Sequence, residues 1–351
     1  MKKINYSLLF ILTVFFVSCN KDVAQLKDTG VEHVKPLICR AGQPDRYNAK
    51  PNEVTPEMIA NAAATKAGQK YTIPVVFHVF GEDQGSGTLD QARMETVLAW
   101  VNNDFNMIIN DGDPETFLNV DPKREDYVSS INFEFVLAKF DPQGNATTGV
   151  VQYDVNHPAN RLGLGNWEAT PEIAKIAWDN YKYFNIYITN DLYGDGTTNN
   201  SGIAWYPNRG MSDSNCARVV YNGAYLPGAK NIWDLDFQSV ITHEIGHWFD
   251  LPHTFNESGL DYCDKSLVDG DRFGDEISDT PQMECSSNSD AYYGHGKKNC
   301  VGEVIDFGNF MNYGVYCNFT KGQVERMKIA LEHPSRKTLW QPANLKATLG
   351  K

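Results

Sequence analysis

The sequence predicts an α+β (mixed α/β) fold, a twisted mixed sheet with helices packed on it. Three observations carry this. Thr72 to Phe80 is an apolar, β-rich run that reads as a central strand. Leu89 to Met107 then repeats apolar residues at helical spacing, at Ala92, Met94, Val97, Leu98, Val101 and Phe105. Several short β-rich runs follow before a second helix over Leu235 to Asp250. Strand, helix, strands and helix is the order of a sheet backed by helices.

In chain order, Met1-Lys2-Lys3 precedes an apolar run from Leu8 to Val17 and then Ser18-Cys19. A short basic start, a short apolar core and a small residue read as a signal peptide over 1–18. The run is too short to span a bilayer as a permanent helix. Cys19 resembles the acylated cysteine of a bacterial lipobox, although Phe16 stands where an aliphatic residue is usual. A plain secretory signal cut near Ser18 is the other reading. Residues 19–70 are polar with scattered prolines and read as lipid tether and propeptide, with a short helix over Met58 to Ala67.

Residues 71–253 form the expected N-terminal catalytic subdomain. Its further strands are Ile131 to Leu137, which alternates, then Phe184 to Ile188 and Arg218 to Tyr221. Asp234 or Asp236 could cap the helix over 235–250. Residues 254–351 form the C-terminal subdomain. Its first part, 254–308, is rich in glycine, acids and cysteine, and a loop stretch of that length needs staples. Thr320 to Glu332 reads as the last helix, with a capping box at Thr320 and Gln323 and a stop at Pro334.

The formal net charge is −13 and the pI about 5.1, with acids spread along the chain. That argues against a nucleic-acid or anionic-membrane surface. Membrane association is expected only through the lipid anchor.

The chemistry concentrates in Thr242-His243-Glu244-Ile245-Gly246-His247-Trp248-Phe249-Asp250-Leu251-Pro252-His253. On a helix, His243 and His247 share one face and can bind one zinc ion. Pro252 implies that the helix has ended, so the chain must turn near Asp250 to bring His253 back. Three nitrogen ligands with one open position suit a catalytic zinc site. Glu244 is then placed as a general base rather than a ligand. His78 lies in a β pattern and reads as structural.

The motif, the segment Asn309-Phe310-Met311-Asn312-Tyr313, the run Cys317 to Met327 and Asp279-Thr280-Pro281 together resemble the metzincin peptidases. Within these they are most similar to the pappalysin branch, which includes ulilysin-like and cytophagalysin-like enzymes. The resemblance covers roughly residues 70–335. It implies a metzincin-type catalytic domain with a backing helix and an active-site helix, then a disulfide-stapled C-terminal subdomain. It also implies a zinc endopeptidase acting on protein or peptide substrates. Met311 would be the Met-turn floor beneath the metal, and Tyr313 matches a position that can assist the oxyanion. The family glycine of the zinc motif falls on Asp250, a residue type that tolerates the left-handed backbone required there.

Seven cysteines remain to be placed. Cys263, Cys285, Cys300 and Cys317 form an even local cluster, which in an exported protein reads as two disulfides. Their spacings of 22, 15 and 17 residues lack a zinc knuckle. Three pairings are possible, and the resemblance implies Cys263–Cys300 with Cys285–Cys317. Cys39, in Cys39-Arg40-Ala41-Gly42-Gln43-Pro44-Asp45, loosely resembles the cysteine switch that keeps some metzincins latent. A Cys39–Cys216 disulfide is the rival; the thiolate's affinity for zinc favours the switch.

Acids gather at Asp269, Asp271, Asp275, Glu276 and Asp279. Hard oxygen ligands in a loop suit calcium, and the resemblance implies a calcium ion near Asp275, Asp279 and Thr280. Arginine-preferring members of the branch carry an acid between the Met-turn and the next cysteine. Asn312 to Tyr316 has none, so a strong arginine preference is not expected.

The reading is an exported zinc endopeptidase, at the outer membrane or cell surface if lipidated and otherwise secreted, made as a zymogen. Its rivals are a catalytically silent binding module on the same fold and a zinc hydrolase of a non-peptide substrate. Glu244 argues against the first, because a structural zinc site has no use for a base.

Overall fold

The computed structural model describes residues 55–66, 68–81, 87–108, 128–198, 200–227, 238–254, 275, 277–280, 308–312 and 318–351. The centre is the strand β1 (Tyr71–Phe80), every residue of which is buried. The apolar run is long because both faces of β1 are covered, as in parallel sheets generally. One edge of β1 pairs in parallel first with β3 (Phe133–Leu137) and then with β4 (Val150–Tyr153). Its other edge pairs in parallel with β5 (Phe184–Thr189), which pairs in parallel with β7 (Val219–Asn222). The last strand in this order, β6 (Gly202–Ala204), runs antiparallel to β7, with Gly202 opposite Tyr221. A small separate sheet joins β2 (Val128–Ser129) to β8 (Phe319–Thr320). The expected strands are therefore present, but β4 and β6 carry no periodicity that marks them in advance.

The backing helix α2 (Gln91–Phe105) starts at Asp90, whose side chain accepts from the Arg93 N–H. Met94, Val97, Leu98, Val101 and Phe105 are its buried stripe, as expected, whereas Ala92 is exposed and belongs to the solvent face. Phe105 lies within a cluster of rings that includes Phe133, Phe135 and Phe319. Two polar contacts tie α2 to α6 (Val240–Trp248), the helix of the histidine motif. Trp100 donates from Nε1 to the Ser239 hydroxyl at 2.8 Å, and Thr242 donates from Oγ1 to Asp104. The helix begins later than expected, with Ser239 and not Asp234 or Asp236 at its N-cap; those two lie outside the described residues.

The expected short N-terminal helix is α1 (Pro56–Ala64), capped by Thr55, with Met58 and Ala62 buried. Short helices α3 (Pro158–Arg161), α4 (Thr170–Ile176) and α5 (Arg209–Asp213) punctuate the connections. Helix α7 (Lys321–Ala330) carries the predicted capping box, with both reciprocal bonds between Thr320 and Gln323 formed. It is not the last helix. α8 (Pro342–Leu349) follows, and the Thr348 carbonyl accepts from the N–H groups of Lys139 and Phe140. Its buried residues are Asn344, Thr348 and Leu349, so no apolar stripe announces it. No helix among the described residues is long and apolar enough to cross a membrane.

His78 is structural, as expected. It is fully buried in β1, bonded through Nε2 to Asn185 at 2.9 Å and through Nδ1 to Tyr153 at 3.1 Å, and stacked on Tyr187. Burial pushes its pKa down to about 4. The unfolded chain, with an ordinary imidazole near 6.5, binds this proton first as the pH falls. Stability from this group is therefore complete above about pH 6.5 and is lost progressively down to about pH 4, by roughly 3 kcal/mol. Urea unfolding of wild type and His78→Gln at pH 7.5 and 4.5 checks this. The variant should lose less stability on acidification; parallel losses would refute the assignment.

Candidate metal centre and active site

Helix α6 places His243, Glu244 and His247 in the interior; all are buried. The helix ends at Trp248, and Asp250 adopts φ 72°. This left-handed residue lets the Leu251 N–H return to the Gly246 carbonyl at 3.1 Å and swings His253 back toward the helix. For a side chain other than glycine the conformation costs about 1–2 kcal/mol. Arg326 of α7 offsets it. Its Nε donates to the Asp250 carbonyl at 2.6 Å and its Nη2 pairs with Asp250 Oδ2 at 3.2 Å. Arg336 donates from Nε to the Trp248 carbonyl at 3.1 Å, and its guanidinium lies 3.3 Å over the indole. Two cations thus meet the carbonyl end of α6, where the helix dipole favours them.

The three imidazoles converge. Their Nε2 atoms are 3.0 Å apart between His243 and His247, and 3.1 Å from each of these to His253. His243 donates from Nδ1 to the Phe310 carbonyl at 2.6 Å, and His247 donates from Nδ1 to the Leu251 carbonyl at 2.6 Å. A carbonyl only accepts, so both rings carry their proton on Nδ1 and turn a bare Nε2 lone pair inward. Burial and the neighbouring imidazoles hold both pKa values well below the ordinary range, so the rings stay neutral. Inward-facing lone pairs at this separation repel unless a cation lies between them. Tetrahedral zinc at about 2.0–2.1 Å from each nitrogen needs ligand separations of roughly 3.3 Å, close to those seen. Among the described residues this is the one cluster of three or more histidine, cysteine or carboxylate side chains that could hold a metal ion.

The Phe310 carbonyl that orients His243 belongs to the tight turn 309–312. Asn309 Oδ1 accepts from the Met311 N–H at 2.9 Å. The Asn309 amide forms two reciprocal bonds, each 2.9 Å, with the amide of Gln323. Gln323 is the capping residue of α7, so the cap that the sequence announces also braces a ligand support. Met311 is buried; a Cβ on Gly246 would fall 2.5 Å from its sulfur. Gly246 therefore makes room for the thioether against α6.

The residues expected to hold calcium lie elsewhere in the structure. Asp275 Oδ1 accepts from the Ile277 N–H at 3.0 Å and from Thr280 Oγ1 at 2.6 Å. Burial raises the Asp275 pKa to about 7. Asp279 accepts from Thr320 Oγ1 at 2.7 Å and from the Gly322 N–H at 2.8 Å. The two Asp279 bonds tie down the start of α7. Cys216 is a buried free thiol that donates to the Ser214 carbonyl at 3.0 Å, so it is not half of a disulfide with Cys39. Tyr313, Cys19, Cys39, Cys263, Cys285, Cys300 and Cys317 lie outside the described residues.

Sequence reasoning passed over Arg326, Arg336 and Asn309 as parts of the site, together with the glycines Gly202 and Gly246. A glycine inside a zinc helix was a legible signal, because glycine weakens a helix interior and is kept there for space. Tyr206 sits edge-on to His247 with ring centroids 5.7 Å apart.

A sheet with an antiparallel edge strand, a histidine helix ending in a left-handed turn and a methionine turn beside it together make the metzincin-type fold. Promirolysin of Tannerella forsythia, in a mutant form, superimposes with a TM-score of 0.60 at 24% identity, over 83% of this chain and 89% of that one. Mature mirolysin with a cleaved peptide gives 0.55 at 24% identity, over 78% of this chain and all of that one. More particularly, residues 168–332 match the family model described as Pregnancy-associated plasma protein-A, Peptidase_M43. Extracellular metalloproteases of Sordaria macrospora and Neurospora crassa are each 32% identical over 158 residues, 42% of this chain and 47% of theirs. The chain thus spans about half the length of the curated relatives it matches.

Proposed function

We propose that this protein is a zinc-dependent endopeptidase, exported and made as a latent zymogen. One observation carries the reading. Three buried imidazoles present Nε2 atoms to a single point, two with their tautomer forced by backbone carbonyls, beside the buried carboxylate Glu244. His243, His247 and His253 would hold the metal. Bound zinc supplies Lewis acidity, polarising a carbonyl and acidifying a water. Glu244 takes the proton from the attacking water and delivers it to the leaving amine. Phe310 and Leu251, through their carbonyls, keep the ligand rings in the right tautomer and orientation. Met311 would form the floor, and Tyr313 would assist the developing oxyanion. The edge strand β6 would align an extended peptide by strand addition. A calcium ion would be held near Asp275, Asp279 and Thr280.

Cleavage of internal bonds in a mixed peptide pool tests the activity, and the same pool reports specificity. A buried substrate arginine needs a carboxylate partner, and Asn312 to Tyr316 offers none. Asp250, the nearby candidate, is engaged by Arg326. No dominant arginine after the scissile bond is expected; a strong one would refute this view of the pocket, and a pool left intact by both the processed protein and Cys39→Ala protein would sink the endopeptidase reading.

Latency is assigned to the N-terminal segment, with Cys39 as a thiolate ligand in place of water. Cys39→Ala protein should be active without processing, and unchanged latency would count against the switch. Acylation of Cys19 accounts for anchoring, and a mature N-terminus at any other residue excludes it.

A further inference from the structure

We infer that Gly202 of the edge strand is a positioning residue for Glu244, its missing side chain forming the seat in which the carboxylate rests. Glycine inside a strand weakens it, so its presence calls for a reason. Conformation is not that reason, because Gly202 is not among the residues with positive φ. Space is. A Cβ at Gly202 would lie 2.6 Å from Glu244 Cγ, 2.6 Å from Oε1 and 2.7 Å from Cδ. The three nearest heavy atoms it would meet all belong to that one side chain. The neighbours Ser201, Ile203 and Ala204 are buried, and β6 is held in register by Tyr221, Val220 and Val219 of β7. The strand therefore presents a fixed backbone surface, and the carboxylate lies flat against its one bare Cα.

Adding a methyl group would separate two fates. The strand is clamped by its ladder, whereas the glutamate is the far end of a flexible side chain. The carboxylate moves, by roughly 1 Å to reach ordinary contact. A misplacement of that size is enough to cost about 100-fold in rate. This rests on the endopeptidase reading, so the test has an arm that does not depend on activity.

The experiment compares Gly202→Ala with wild type, with Gly210→Ala as a control remote from the site. For Gly202→Ala, kcat should fall about 100-fold with KM within about threefold and zinc content unchanged. Gly210→Ala should keep wild-type kcat. The second arm is thermal unfolding of the zinc-free proteins in the Glu244 and Glu244→Ala backgrounds. With Glu244 present, Gly202→Ala should lower Tm by about 2 °C; with the carboxylate removed the clash vanishes and the same change should raise Tm by about 2 °C, as glycine-to-alanine changes at compatible sites do. Equal Tm shifts in the two backgrounds, or kcat within threefold of wild type, would overturn the inference. A wild type that cleaves nothing even after removal of its N-terminal segment, while the Tm coupling persists, would overturn the endopeptidase reading and leave the seat standing.

Discussion

Glu244→Ala protein is expected to retain one zinc per chain and to lose about 10³-fold in kcat on casein or a peptide reporter, with little change in KM. Glu244 is fully buried on the helix between two of the three convergent histidines, yet it is not one of the cluster that can hold the metal. Removing it leaves the ligand triangle and its carbonyl supports intact. What goes is the group that accepts a proton from water and returns it to the amine, a contribution of about 10²–10⁴-fold in most enzymes. Glu244→Gln should behave alike, because the amide keeps the shape and cannot take the proton. Metal analysis beside the kinetics separates the cases. Full activity with zinc retained would eliminate the general-base assignment.

Stripping the metal should have the other large effect. Purified protein is expected to contain one zinc per chain, and excess chelator should abolish hydrolysis, with zinc restoring it. Stability should follow. The site holds three Nε2 atoms 3.0–3.1 Å apart in a buried setting, with two rings tautomerically committed. A cation relieves that repulsion, and free zinc at about 1,000 times its Kd adds roughly 4 kcal/mol. For a chain of this size Tm should rise on the order of 5–10 °C on reloading. His247→Ala should lose both the activity and the zinc-dependent Tm shift. Purified protein free of zinc, or hydrolysis that survives the chelator, would defeat the metal assignment.

Much of the site was legible in residue order because its logic is local. His243 and His247 four apart on a helix, a proline before His253 and a turn-tolerant residue at Asp250 are short-range facts, and the left-handed backbone at Asp250 follows from them. The same holds for the capping box at Thr320 and Gln323. The long strand β1 was visible as an apolar run buried on both faces, and α2 as a stripe repeating at helical spacing over fifteen residues. Strands β4 and β6 span four and three residues, too few for a period to show. Helix α8 hides for another reason: it buries Asn344, which donates to the Lys182 and Leu339 carbonyls, and Thr348, which donates to the Asn344 carbonyl. Asp279 also bonds the start of α7, a contact between distant segments that residue order does not announce.

By itself, then, the sequence determined the chemistry: which nitrogens can converge, which carboxylate stands beside them, and where the chain must turn. Tertiary structure decided what holds that chemistry in place. The carbonyl of Phe310 sets the tautomer of His243 across 67 residues, Arg326 steadies the Asp250 turn across 76, and Gly202 offers its bare Cα to Glu244 from another element of the fold. Such contacts end on backbone atoms or on the space beside a glycine, and residue order does not say which distant element supplies the partner. Their partners are set only when the sheet and helices close on one another.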